Sequence, residues 1–487
     1  LSIRRQRQMC IRDRKLILTD VLINDNFSGD TEIDCLIIGG GAAGLTAALA
    51  ASEGGAAVLV AERENRLSGS TALSSGLIPA AETNAQKRQD ISDSKKTFFA
   101  DIMEKNCNSA DPSHVNLCVE NITLALDWLE AEHGIPFHVL DDFLYPNHTN
   151  FRMHAVPEVT GEALVNYLER AVAERDIYVS CNLNIVNLVK SNNGRILGAI
   201  GERPDGSTEA ISSKTIILAC NGYGGNSALI AENIPEMQNA IYFGHAGNQG
   251  EAVIWGRQLD AKIDHLSGYQ GHGSVAHPHG ILVTWALMME GGIQVNTNGK
   301  RFSNEHKGYS EQAVNVLSQP EKIAFNIFDE RLCSLGRKFE DFRKAEKANA
   351  IISAQTIEDL ASKLNISIGP LCETMLEIDA LAEQNAVDTF GRNFNSKDRL
   401  QPPYCAVKVT GALFHTQGGL LIDSQARVIQ KNGSYIQGLY ACGGAACGVS
   451  GPDVAGYLSG NGLSVSYTHL RAHETRHDLV CRLLLEK

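Results

Sequence analysis

The chain has 487 residues, 43% of them hydrophobic, and a formal net charge of −13; that is enough for two domains or one large α/β domain with an insertion. The acidic balance disfavours nucleic acid and anionic membrane surfaces as partners, and no apolar run approaches the ~20 residues that span a bilayer. Twelve Cys are scattered without a CxxC pair or His/Cys ligand spacing, which fits free thiols in a reducing, cytoplasmic setting better than disulfides, zinc or clusters, so no metal is expected.

Residues 1–31 read as an N-terminal extension. Its start, LSIRRQRQMCIRDRK, is basic, has no apolar segment behind it and looks foreign to the gene. The first strong signal follows. An apolar strand, Cys35 to Ile38, enters Gly39-Gly-Gly-Ala-Ala-Gly44; an Ala/Leu-rich helix comes next, then a second strand ending in Glu62 and Arg63. Gly39 permits the tight turn, Gly41 lets backbone approach a pyrophosphate, and Gly44 lets the helix lie close on the strand, with Ala43 in its first turn. The helix N-terminus offers free N–H groups to phosphates, and Glu62 can accept from ribose hydroxyls. A dinucleotide site is expected here. The next segment, Leu67-Ser-Gly-Ser-Thr-Ala-Leu-Ser-Ser-Gly76, supplies small hydroxylated residues (Ser70, Thr71, Ser75, then Gly76) able to thread between a pyrophosphate and an isoalloxazine ring.

Helical spacing then runs from Asp93 to Glu132, clearest over His114 to His133 and closed by Gly134. A loop from Tyr145 carries Arg152 and His154, read as loop surface, and a helix begins at Glu162. Tyr178 to Glu202 alternates like two strands around Asn192-Asn-Gly194. The strand from Thr215 runs into Asn221-Gly222-Tyr-Gly-Gly225. From 268 to 413 the pattern changes to more helix, His- and Gly-rich loops and little β alternation. Residues 414–465 close with Gly438-Leu-Tyr-Ala-Cys-Gly443-Gly444 and Gly460-Asn-Gly462-Leu463, and the tail 466–487 again reads as non-native.

The glycine fingerprint, the Ser/Thr segment, the Thr215–Gly225 stretch and the closing glycines, in this order over residues 32 to 465, resemble the flavoprotein family of fumarate reductases, succinate dehydrogenases and 3-ketosteroid dehydrogenases. The resemblance implies an α/β fold: a Rossmann-like FAD-binding domain of parallel sheet and helices (32–267 and 414–465), interrupted by an inserted α+β cap (268–413) that closes over a small-molecule substrate. It implies FAD, with Gly222, Gly443, Gly460, Gly462 and Leu463 near the flavin. No His stands near Ser70 in sequence, so non-covalent FAD is expected. With a single fingerprint, the electron acceptor is something other than a second nicotinamide site, and it stays unnamed.

Gly280 to Glu305 aligns without gaps to a family block. Where fumarate reductases place an acid, an Arg and a proton-delivering Arg, this chain has Trp285, Met288 and Tyr309. No Arg occurs between Val428 and Leu470, whereas a buried dicarboxylate needs paired cations. His415 still matches a substrate-binding His. Tyr309 after the Asn304-Glu305 motif, and Tyr457-Leu-Ser459-Gly460, are similar to the ketosteroid dehydrogenase branch. That resemblance implies Tyr309 as base or proton shuttle and Tyr457 and Ser459 on a carbonyl, helped by the Gly460 N–H. A Tyr base would need its pKa to fall from about 10. His277, from the run His272 to His279, and Trp285 are expected to wall the substrate pocket, and Arg301 to anchor the cap by an ion pair. The expected activity is an FAD-dependent desaturation beside the carbonyl of an uncharged ketone. The alternatives are a reductase of an unsaturated carboxylic acid, or a flavin-binding but inactive chain.

Overall fold

The computed structural model describes residues 19–465; the stretches 1–15 and 466–487 that read as foreign lie outside them. Parallel β-structure forms at the centre because its strands are short, apolar and joined by helices. Thr31–Ile38 pairs in parallel with Val58–Ala61 on one side and with Thr208–Leu218 on the other. Tyr178–Ser180 extends the sheet beyond Val58–Ala61, and Tyr435–Ala441 joins Thr208–Leu218. Helix Ala42–Glu53 connects the first two strands, as the fingerprint predicts.

The hairpin expected around Asn192-Asn-Gly194 joins Asn184–Lys190 to Ile196–Glu202, which continue antiparallel into Thr208–Leu218. Tyr178–Ser180 is a separate third strand. Helix Pro112–His133 starts on an Asp111 cap with Pro at its first turn and stops at Gly134, whose φ of 64° is left-handed. Its inner face buries Val115, Val119, Ile122 and Leu129, each contributing roughly 1.5–3 kcal/mol.

A second, largely antiparallel sheet of seven strands is organised on Tyr404–Thr416. Tyr269–Ala276, Ile323–Asp329 and Ile351–Ala354 pair with it, and Ile241–Tyr242 adds a short parallel segment. Little β alternation was expected in this region, yet it is rich in strand. Ile323–Asp329 is buried at every position and Tyr404–Thr416 at most, and a strand covered on both faces shows no alternation to read. No helix among the described residues is long and apolar enough to cross a membrane.

Behind this sheet lies a buried ion network. Arg392 pairs with Glu305 at 3.0 Å and Asp398 at 3.1 Å, with all three side chains fully buried. Arg301 pairs with Glu305 at 2.6 Å and Asp388 at 2.5 Å. Burial would raise the Glu305 pKa, but Arg392 and Arg301 outweigh it and hold the carboxyl down at about 2.

Candidate active site

The fingerprint glycines are demanded by contact. A Cβ on Gly44 would lie 1.8 Å from the Gly39 carbonyl oxygen, and one on Gly39, whose φ is +113°, would lie 2.5 Å from that of Ala219. At Gly41, by contrast, a Cβ would meet nothing closer than Thr71 Oγ1 at 3.6 Å, so this face of the backbone is open to a ligand. A cleft of about 690 Å³ begins here, lined by Gly39, Gly41, Ala43, Glu62, Arg63, Ser70 and Thr71. The buried Glu62 carboxylate accepts from the Gly40 and Glu64 N–H groups at 2.8 and 2.9 Å, which aims it into the cleft with lone pairs to spare. Arg63 lines the cleft but spends its guanidinium on Glu251 at 2.6 Å and the Gly247 carbonyl at 2.7 Å.

Cys220, Asn221 and Gly444 line the cleft from within the two motifs that carry Gly222 and Gly443, whereas His245 and Asn248 were missed because they arrive from a distant loop. Asn248 donates to Ser70 Oγ at 2.8 Å. His245 brings a histidine beside Ser70 in space, its N–H lying 3.4 Å from Ser70 Oγ, although none stands nearby in sequence. Gly44, Ser75, Gly76, Gly222, Gly443, Gly460, Gly462 and Leu463 do not line this cleft. Gly76 packs on Thr160 and Gly161, and Gly222 on Thr416. The open glycine face, the aimed carboxylate and the helix N-terminus fit FAD. Glu62→Ala is expected to weaken FAD retention about tenfold, as loss of charge-assisted hydrogen bonds does; titration of flavin fluorescence measures it.

A second group of residues assembles where the two sheets meet. Tyr309, Tyr457 and Ser459 line one narrow cleft, and the Ser459 and Tyr457 hydroxyls act on the Tyr309 phenol, which joins three of the expected catalytic residues in one buried cluster. Gly460 N–H, expected at the substrate carbonyl, instead donates to Tyr457 Oη at 3.2 Å. Gly462 N–H also acts on that oxygen. His148, unforeseen, bonds through Nε2 to the Ser459 carbonyl at 3.0 Å and holds the turn. Burial pushes the Tyr309 phenol up to about 12, against the Ser459 and Tyr457 hydrogen bonds, and drives Tyr457 well above its ordinary value. The expected fall in Tyr pKa is thus reversed by desolvation, and both phenols rest protonated.

His415 stands edge-on to Tyr457, ring centroids 5.5 Å apart. Its Nδ1 accepts from Gln417 Nε2 at 2.8 Å, and Gln417 Oε1 accepts from Ser450 at 2.8 Å. The 2.8 Å Gln417 bond is shorter than the 3.4 Å approach of Nδ1 to the Thr416 carbonyl, which assigns the ring proton to Nε2; burial lowers the His415 pKa to about 4, so His415 is a neutral N–H donor. The ring stacked on Tyr309 at 4.7 Å belongs to His272. His277, the histidine expected to wall the pocket, lies instead beyond the end of that strand, its N–H on the Lys408 carbonyl. Trp285 sits behind the cluster, edge-on to His272 at 5.8 Å, with its Nε1 donating to the Glu305 carbonyl at 3.2 Å.

Arg152 and His154, read as loop surface, are both buried. Arg152 pairs with Asp93 at 2.9 Å and Asp101 at 2.6 Å, and His154 bonds to Thr83 at 2.6 Å. Arg152 therefore has no charge to spare for a substrate, although the neighbouring Met153 packs on Gly460. A narrow cleft beside the hydroxyls is lined by Tyr309, Tyr457 and Ser459 and by Lys105 and Glu311.

Comparison with known proteins places this geometry. The FAD binding domain family matches residues 34–463. A probable fumarate reductase of Shewanella frigidimarina is 26% identical over 419 residues, covering 85% of this chain and 70% of that protein. The open conformation of a flavocytochrome c3 fumarate reductase superposes with a TM-score of 0.78 at 25% identity, over 94% of this chain and 80% of that one. A 3-ketosteroid Δ4-(5α)-dehydrogenase of Rhodococcus jostii shares the fold, with a TM-score of 0.74 at 21% identity over 96% and 99% of the two chains.

Proposed function

The chain belongs to the FAD binding domain family and is an FAD-dependent oxidoreductase acting on carbon–carbon bonds; from that premise we propose that it desaturates the bond next to the carbonyl of an uncharged ketone. The supporting observation is the Tyr309–Tyr457–Ser459 hydroxyl cluster, buried beside neutral His415 and His272, with the Arg152 guanidinium already spent on two carboxylates. Such a site recognises a carbonyl by O–H and N–H donors and, among the described residues, offers no bidentate cation to a dicarboxylate.

FAD, when bound, supplies the two-electron acceptor for the hydride leaving the β-carbon. The chain's residues handle the proton and the oxygen. A donor, Ser459 Oγ or His415 Nε2–H, steadies the charge that builds on the carbonyl oxygen. The α-proton enters the hydroxyl cluster at Tyr457, whose oxygen is fixed by the Gly460 and Gly462 amides. Because the phenols rest protonated, Tyr457 passes on its own proton to Tyr309 as it takes the new one. Residues 268–413 act as the cap that keeps water from the reacting carbons.

A second reading is favoured by those same resting phenols, which are ready acids, and by the fumarate reductase relatives: a reductase of an unsaturated carboxylic acid held by His415. Anaerobic mixing of the flavin-loaded protein with a panel of ketones and carboxylates separates the two. Bleaching by a saturated 3-ketosteroid and not by succinate is expected. Reoxidation of dithionite-reduced flavin by an unsaturated acid, with ketones inert, would establish the second reading instead.

A further inference from the structure

We infer that the Lys105–Glu311 ion pair is the proton port of the active site, through which the buried hydroxyl cluster exchanges protons with solvent. The inference rests on the proton-carrying role proposed for Tyr309 and Tyr457.

The need for a port follows from proton balance. In the desaturation the α C–H bond breaks and its proton enters the cluster, while the hydride leaves the β-carbon with its electron pair for FAD. Tyr309, Tyr457 and Ser459 are 8%, 5% and 3% exposed, and the phenols already carry their protons. One proton must therefore leave the far end of the cluster in every turnover, and it needs an acceptor in contact with water.

Glu311 and Lys105 are the ionisable pair on the small cleft that the three hydroxyls share. Lys105, from helix Lys95–Lys105, donates to Glu311 Oε1 and to the Lys307 carbonyl. Glu311 Oε2 has no hydrogen-bond partner among the described residues. That oxygen is buried, and Gly308 packs closely against it: a Cβ there would stand 2.6 Å from it and 3.2 Å from Lys105 Nζ. The Glu311 side chain is 19% exposed against 7% for Lys105, so Glu311 is the member of the pair that lies nearer the surface. Burial raises the Glu311 pKa, Lys105 opposes that rise and Asp453 adds to it; Tyr309 is the other titratable group set against the carboxylate. A carboxylate poised this way accepts a proton from the cluster and returns it to water.

The test is anaerobic stopped-flow reduction of the flavin-loaded full chain by the 3-ketosteroid, comparing wild type, E311Q, E311D, K105M and Y309F across pH. Glu311 accepts protons as the carboxylate, so the wild-type rate falls as pH drops through its pKa. E311Q is expected to slow flavin reduction about tenfold or more, to abolish that acid limb, and to recover with added formate. K105M removes the cation that favours the carboxylate and moves the limb to higher pH, while E311D keeps it. The port is overturned if E311Q reduces flavin at the wild-type rate with an unchanged pH profile. It is equally overturned if E311Q is slow but keeps the acid limb and ignores formate, the behaviour of a structural defect. If the ketone leaves wild-type flavin oxidised, or Y309F matches wild type, the reading of the site itself fails and the port falls with it; a slow Y309F beside a fully active E311Q rejects the port alone.

Discussion

Replacing Tyr309 by Phe is expected to slow flavin reduction by the ketone about 10²- to 10³-fold, the usual scale for removing a positioned proton carrier. The substitution deletes one oxygen and keeps the ring, so the stack on His272 at 4.7 Å and the edge contact with Tyr457 at 6.3 Å survive. FAD binding, measured by the flavin spectrum, should be unchanged because Tyr309 does not line the dinucleotide cleft. The hydroxyl is the link between Ser459 and Tyr457, and without it a proton reaching Tyr457 has no onward path. With the phenol held at about 12, Tyr309 is neutral throughout the working range and contributes no limb of its own to the pH profile. A Y309F enzyme within a factor of about three of wild type would remove Tyr309 from the mechanism.

Arg392→Met is expected to destabilise the protein by about 3–5 kcal/mol, the cost of leaving a buried charge without its partner. Arg392 is enclosed between Glu305 and Asp398, with no exposed surface on any of the three side chains, and neither carboxylate can turn to water. Arg301 keeps its hold on Glu305 at 2.6 Å, so Asp398 suffers most. The effect should reach the active site, because Glu305 also accepts from the Gln294 N–H at 3.0 Å and its carbonyl takes the Trp285 indole, four residues before Tyr309. The pH dependence has a definite sign. The folded-state pKa of Glu305 is depressed to about 2, so its stabilisation is full above the ordinary carboxylate range and lost as pH falls through that value. In the variant the folded-state pKa of Glu305 rises toward the ordinary range, so this acid-dependent loss is smaller and is complete at higher pH. Denaturant melts of both proteins from neutral to acid pH measure the difference, and equal stabilities would show that the network contributes nothing.

The amino-acid sequence alone sets the dinucleotide cradle, its strand–glycine–helix–strand unit and the helix end at Gly134. Each of these is written within a few consecutive residues, as a required φ, a cap or an apolar run. It also marked Tyr309, Tyr457, Ser459 and His415 as candidates through resemblance to known motifs. Which side chains meet follows instead from how distant segments pack. Lys105 and Glu311 are 206 positions apart, and no local pattern announces their pairing. His272 faces Tyr309 from within strand Tyr269–Ala276, whereas His277 lies beyond its end; the strand's facing is set by its pairing with Tyr404–Thr416, which shifts register at Gln270/Gly271 and His272/Val275. A shift of one residue turns a strand's side chains to the other face. Arg152 and His154 look like surface in a polar loop, yet Asp93, Asp101 and Thr83 fold back to bury them. The protonation of the tyrosines belongs to the same class. A phenol's composition sets its ordinary pKa, whereas the apolar surroundings that push it upward exist only once distant segments have packed around it.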